Sequence, residues 1–94
     1  MQYVVYILAS KRHGTLYIGI TNGLAKRLGE HRSGTGSKFV RDYKVTTLVH
    51  IELFAEPAQA IAREKQLKKW NRDWKIKLIE QENPDWQDLT PDII

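Results

Sequence analysis

The chain has 94 residues, enough for one domain with a modest core and no room for a second. Hydrophobic residues make up 41% and charged residues 28%, the balance of a folded chain rather than a disordered one, and no apolar run approaches the length of a membrane span. A net charge of +4 suits a polyanionic partner but fits a basic protein without one equally well, while the lack of cysteine excludes disulfides and thiolate metal sites.

Residues 3–8, Tyr-Val-Val-Tyr-Ile-Leu, are β-prone and apolar throughout, which predicts a strand covered on both faces. They lack the basic head and small-residue cleavage site of a signal peptide, so a cytoplasmic address is the expectation. Ser10 to Gly14 reads as a turn and residues 15–20 as the returning strand, with Tyr17 and Gly19 on one face and Leu16, Ile18 and Ile20 on the other. Asn22 is placed to cap a helix over 23–32. Residues 33–44 read as a flexible basic connection with room for a helical turn, and residues 46–54 as a third strand. Pro57 suits the first turn of a helix running to about 71. Asp73 is placed to cap another over 74–82, and Asn83-Pro84 ends it. Trp86 in the tail is expected to pack on the body. The expected fold is α+β over residues 1–94, a single domain with a three-stranded antiparallel sheet flanked by helices in the order β-β-α-β-α-α.

Several polar residues sit where apolar ones are expected. Ala60, Ile61, Glu64, Leu67 and Asn71 share one helical stripe, with Glu64 near its middle. A carboxylate there requires a metal ion or a cationic side chain beside it, or a place at the rim of the core. On the preceding helix, Leu24, Arg27, Leu28 and His31 share a face, while Lys26 and Glu30 lie on the solvated side. Two potential cations against a sheet would suit a phosphate; a snorkelling arginine and a surface histidine are the plainer alternative. If the hairpin closes at Ala9 and Gly14, Tyr6 lies opposite Tyr17, and Gly19 leaves open space that could admit a ligand backbone. Paired tyrosines are also ordinary sheet packing.

Together, the spacing Tyr6, Tyr17-Ile18-Gly19, Arg27, His31, Glu64 resembles the GIY-YIG nuclease superfamily. Val4-Val5-Tyr6 stands at the first triplet and Tyr17-Ile18-Gly19 at the second, and the likeness covers nearly the whole chain. The small stand-alone bacterial members are the most similar, sharing the Glu64-Lys65-Gln66-Leu67-Lys68-Lys69 segment and the Asn83-Pro84-Asp85-Trp86 ending. Two positions depart: Val4 replaces the first glycine, and Ile20 stands where several members carry lysine. Lys26, Arg12 or Lys38 could supply that charge.

The resemblance implies a metal-dependent endonuclease that hydrolyses nucleic-acid phosphodiesters, DNA before RNA. Glu64 would hold one Mg²⁺ or Mn²⁺, which usually keeps several waters besides. Arg27 would bind the scissile phosphate, Tyr17 would take the proton from the attacking water, and Tyr6 and His31 would orient them or share the base role. A phenol in water titrates at about 10, so a phenolate base needs cations beside it. Gly19, Lys26, Lys38, Arg41 and Lys68 are the expected nucleic-acid contacts, with Phe39 and Tyr43 free to stack or pack and Trp70 and Trp74 expected to pack. The rival reading is a nucleic-acid-binding module without catalysis. Glu64 argues against it, because a carboxylate at a phosphate site repels the ligand.

Overall fold

The structure, a computed structural model, describes residues 2–92. Three strands form an antiparallel sheet in the order β2-β1-β3: β1 (Tyr3–Ala9), β2 (Leu16–Thr21) and β3 (Thr47–Phe54). Between β2 and β3 lie α1 (Leu24–Ser33) and α2 (Lys38–Tyr43); after β3 come α3 (Pro57–Lys69) and α4 (Arg72–Glu82). The expected α+β order holds, with α2 as an added short helix. Ser37 caps it by accepting the Val40 amide, and Val40 is fully buried, so the basic connection is folded where sequence favoured a flexible link.

β1 is buried from Val4 to Ala9, as its unbroken apolar run requires. Val5, Ile7 and Ala9 join Ile18 and Val49 beneath Ala60, Leu67 and Ile79 of α3 and α4. Val4, Tyr6 and Leu8 point the other way, toward Leu24 and Leu28 of α1 and Val40 of α2. Each large apolar side chain so buried contributes about 1.5–3 kcal/mol. Trp86 packs into the first cluster as expected, with its indole N–H donating to Glu80 at 2.8 Å. Asn83 fastens the tail: its amide nitrogen donates to the carbonyls of Val49 at 3.1 Å and Gln87 at 2.9 Å.

The hairpin register differs from expectation. The loop spans Ser10 to Thr15 and closes through the Ser10 amide donating to the Thr15 carbonyl at 3.0 Å. Tyr6 therefore pairs with Gly19, and Tyr17 with Leu8. The slip is even, so every side chain keeps its predicted face. Two helix starts also move. Gly23, not Asn22, precedes α1 without a side-chain cap, and Asn71, not Asp73, caps α4 by accepting the Trp74 amide at 2.9 Å. Among the described residues, no helix is long and apolar enough to cross a membrane.

Candidate active site

β2 is an edge strand, and α3 runs along it. Pro57 and Ile61 share a cleft of about 290 Å³ with Ile20, Thr21 and Arg27, while Lys68 shares one of about 260 Å³ with Leu16, Tyr17 and Ile18. Glu64 lies between Ile61 and Lys68 on the helix, and so alongside the middle of β2. The side chain is 16% exposed, at the rim of the core. Its cationic partner is Lys68, one turn on, at 3.1 Å. Arg27 pairs with Glu30 instead. Ile61, at 44% exposed, and Asn71, exposed and beyond the end of α3, depart from the predicted stripe.

Tyr6 is the hub on the opposite side of the sheet edge. It is fully buried, its hydroxyl is hydrogen-bonded to His31 Nε2 at 3.0 Å, and its ring lies 6.4 Å from that of Tyr17. Burial above all, then the negative charges of Tyr17 and Glu64, push the Tyr6 phenol up to about 12. Arg27 opposes them by charge and by hydrogen bonding. The hydroxyl thus feels Tyr17, Arg27, His31 and Glu64 at once, so all five expected catalytic residues converge on this edge. With so high a pKa, Tyr6 keeps its proton at neutral pH and is poorly suited to be the base. Tyr17 is half-buried and lines the open cleft.

His31 is not the surface cation the sequence allowed. It is 3% exposed, and burial first, then the Arg27 charge, hold its pKa below the usual histidine value against the pull of Glu30. A neutral ring also fits Nδ1, which is buried and has no hydrogen-bond partner among the described residues. Gly36 backs that atom, since a Cβ there would stand 2.9 Å from it. The remaining cation of this pair is Arg27, whose guanidinium meets Glu30 at 3.3 Å.

The space beside Gly19 belongs to the protein. A Cβ there would stand inside contact distance of Tyr6 Cζ and Oη and 3.0 Å from Cε1, so the missing side chain makes room for the tyrosine and not for a ligand backbone. Of the expected nucleic-acid contacts, Lys68 lines the cleft beside Tyr17. Lys38 begins α2 and is exposed, as is Lys26 on α1; Arg41 is paired with Asp42 at 3.3 Å. Lys75, not foreseen, lines the same cleft as Tyr17 and Lys68, brought there by the fold-back of α4. Phe39 completes the wall, 6.1 Å from Tyr17 and 4.7 Å from Tyr43 between ring centres.

A metal ion here would have one carboxylate. No group of three or more potential ligands occurs among the described residues. That donor set fits a largely hydrated Mg²⁺ or Mn²⁺ that shares its remaining positions with substrate oxygens, and does not fit an ion caged by protein.

Strand order, helix placement and this tyrosine-rich edge define a known class. Residues 2–77 match the GIY-YIG catalytic domain, and the chain belongs to the GIY-YIG family, whose members are generally nucleases. Among its relatives are small proteins of similar length. It is 42% identical to the UPF0213 protein CPE1444 of Clostridium perfringens over 84% of this chain and 83% of that one. It is 32% identical to the UPF0213 protein SH2523 of Staphylococcus haemolyticus over 85% and 96%. The solution NMR structure of the UPF0213 protein BH0048 from Bacillus halodurans superposes with a TM-score of 0.60 at 29% identity, covering 96% of this chain and 95% of that one.

Proposed function

We propose that the protein is a metal-dependent endonuclease that hydrolyses nucleic-acid phosphodiester bonds, with DNA the preferred substrate. The observation that carries this reading is the cluster at the sheet edge, where Tyr6 is hydrogen-bonded to His31, lies 6.4 Å from the Tyr17 ring and is within electrostatic reach of Arg27 and Glu64, beside clefts lined with cations.

The residues divide the work as follows. Arg27 binds the scissile phosphate and neutralises the charge that grows on it. Tyr17 takes the proton from the attacking water as its oxygen bonds to phosphorus and the ester oxygen departs. Tyr6 keeps its own proton and holds Tyr17 and His31 in place through its buried ring and hydroxyl. His31, neutral, fixes the Tyr6 hydroxyl. Glu64 would hold Mg²⁺ or Mn²⁺, which when bound supplies charge neutralisation and an acidified water. Lys68 and Lys75 supply the charge that Ile20 leaves out, and Lys26, Lys38 and Arg41 hold flanking phosphates.

Incubation with labelled single-stranded, duplex and branched DNA and RNA, with Mn²⁺ or with EDTA, tests the reading. Mn²⁺-dependent cleavage of at least one DNA is expected. Cleavage of RNA alone would overturn the DNA preference, and cleavage of nothing would overturn the enzyme.

A further inference from the structure

A second cleft lies on the same helix pair that flanks the catalytic edge. It holds about 350 Å³ and is walled by Arg63, Trp70, Trp74, Lys77, Leu78 and Gln81, with no carboxylate in the lining. The wall is rigidly built. Arg63 donates to both carboxylate oxygens of Glu52, at 2.7 and 3.1 Å, and to the Gln66 amide oxygen at 2.7 Å. His50, itself buried, is hydrogen-bonded to the same carboxylate at 2.8 Å. Held this way, the guanidinium lies 5.0 Å over the Trp70 ring, and Trp74 stands edge-on to Trp70 at 5.8 Å. Trp74 is nevertheless 52% exposed, so a large aromatic surface is fixed in place and left in water.

We propose that this cleft is an exosite for an unpaired nucleotide of a strand that also occupies the catalytic cleft. The proposal rests on the nucleic-acid reading above and adds where the flanking strand goes. Three features point to that occupant. An exposed indole offers a stacking face that any base can use, and a duplex hides its base faces in its own stack. Lys77 lines the cleft and no carboxylate does, and Arg63 and Glu52 neutralise each other, so the local charge suits a phosphate. The two clefts also draw on the same two helices: Lys68 of α3 and Lys75 of α4 line the one beside Tyr17, while Trp70 and Trp74, flanking the α3–α4 elbow, line the other. The volume is at the low end for small-ligand sites and suits one nucleotide, not a folded partner.

The test is fluorescence anisotropy in EDTA, where nothing is cut, on wild type, Trp74→Ala, Trp74→Phe and Lys77→Ala. The probes are single strands of about 4 and about 12 nucleotides and a closed hairpin duplex. Thermal melts confirm folding, which both exposed positions should preserve. Trp74→Ala should weaken the longer strand about tenfold, Lys77→Ala by less, and Trp74→Phe should retain most of the affinity. The shorter strand and the duplex should be unaffected. Unchanged affinity of Trp74→Ala for the longer strand would overturn the exosite, and so would an equal loss on all three probes. If wild type binds none of them, the nucleic-acid reading itself falls, an outcome distinct from either.

Discussion

Replacing Gly19 by alanine distinguishes a glycine that serves its own protein from one that serves a ligand. The added Cβ would overlap the Tyr6 ring tip and stand 3.0 Å from Cε1. That ring cannot swing aside freely, because it is fully buried and its hydroxyl is tied to His31 at 3.0 Å. Overpacking of this kind costs about 1–3 kcal/mol. Giving up the buried hydrogen bond costs about 1–3 kcal/mol more if His31 is left without a partner. The sum, about 2–6 kcal/mol, is a large share of the stability of a small domain and lowers Tm by about 10 °C or more. Urea and thermal melts of the free protein measure it. Tyr6→Leu removes the overlap, so in that background Gly19→Ala should cost little, and the double-mutant cycle should return a coupling of about 1 kcal/mol or more. A Gly19→Ala protein that melts like wild type and loses only nucleic-acid affinity would refute the reasoning and restore the ligand-approach role.

Three further outcomes are expected. Tyr17→Phe keeps the ring and removes the hydroxyl, so single-turnover cleavage should fall by about 10²–10⁴ with Tm unchanged; a near-normal rate would move the base role elsewhere. Lys68→Met should raise Mn²⁺ affinity measured by calorimetry without nucleic acid, because it removes the ammonium that meets Glu64 at 3.1 Å, and should weaken DNA binding; unchanged Mn²⁺ affinity would place the metal away from this pair. Stability should also depend on pH through His31. Its folded pKa is below the unfolded value of 6.5, so the unfolded chain binds more protons between the two, and stability is full above 6.5 and declines as pH falls through that window. Glu52 adds to the loss at lower pH: burial raises its pKa, but hydrogen bonds from Arg63 and His50 outweigh that and leave it below 4.5, so its contribution is present above 4.5 and fades beneath. Denaturant melts of wild type and His31→Gln across this range should show the upper slope only in wild type.

The sheet was legible in the sequence because its central strand is apolar at every position, which only burial on both faces explains. Helix α3 was legible from Pro57 and the stripe through Ala60 and Leu67. The candidate site showed as polar residues in apolar places, Glu64 in that stripe and Arg27 and His31 beside Leu24 and Leu28, and only the family resemblance joined them to Tyr6 and Tyr17. What stayed hidden depends on contacts distant in the chain or on loop detail. The length of the Ser10–Thr15 loop sets the hairpin register, and local pattern does not fix it. The purpose of Gly19 follows from that register, since Tyr6 is its partner across the strands. Helix α2 forms because Val40 finds a buried site. Asp73 could cap a helix, but α4 starts two residues earlier, capped by Asn71. Lys75 reaches the catalytic cleft, and Trp74 builds a cleft with Arg63, only once α4 folds back along α3.

The central claim is that Glu64 is a metal-binding carboxylate at a cleavage site, and Glu64→Gln addresses it most directly. The change keeps the side-chain shape and removes its charge. Its protein partner is the half-exposed Lys68, so losing that pair should alter stability in EDTA by less than about 1 kcal/mol. Melts in EDTA and in Mn²⁺, run beside a cleavage assay and a DNA-binding titration, read every consequence. The account predicts an unchanged melt in EDTA, loss of any Mn²⁺-induced rise in Tm, loss of cleavage, and DNA binding that is retained or tightened. A Glu64→Gln protein that still cuts DNA with Mn²⁺, or that unfolds in EDTA, would contradict it.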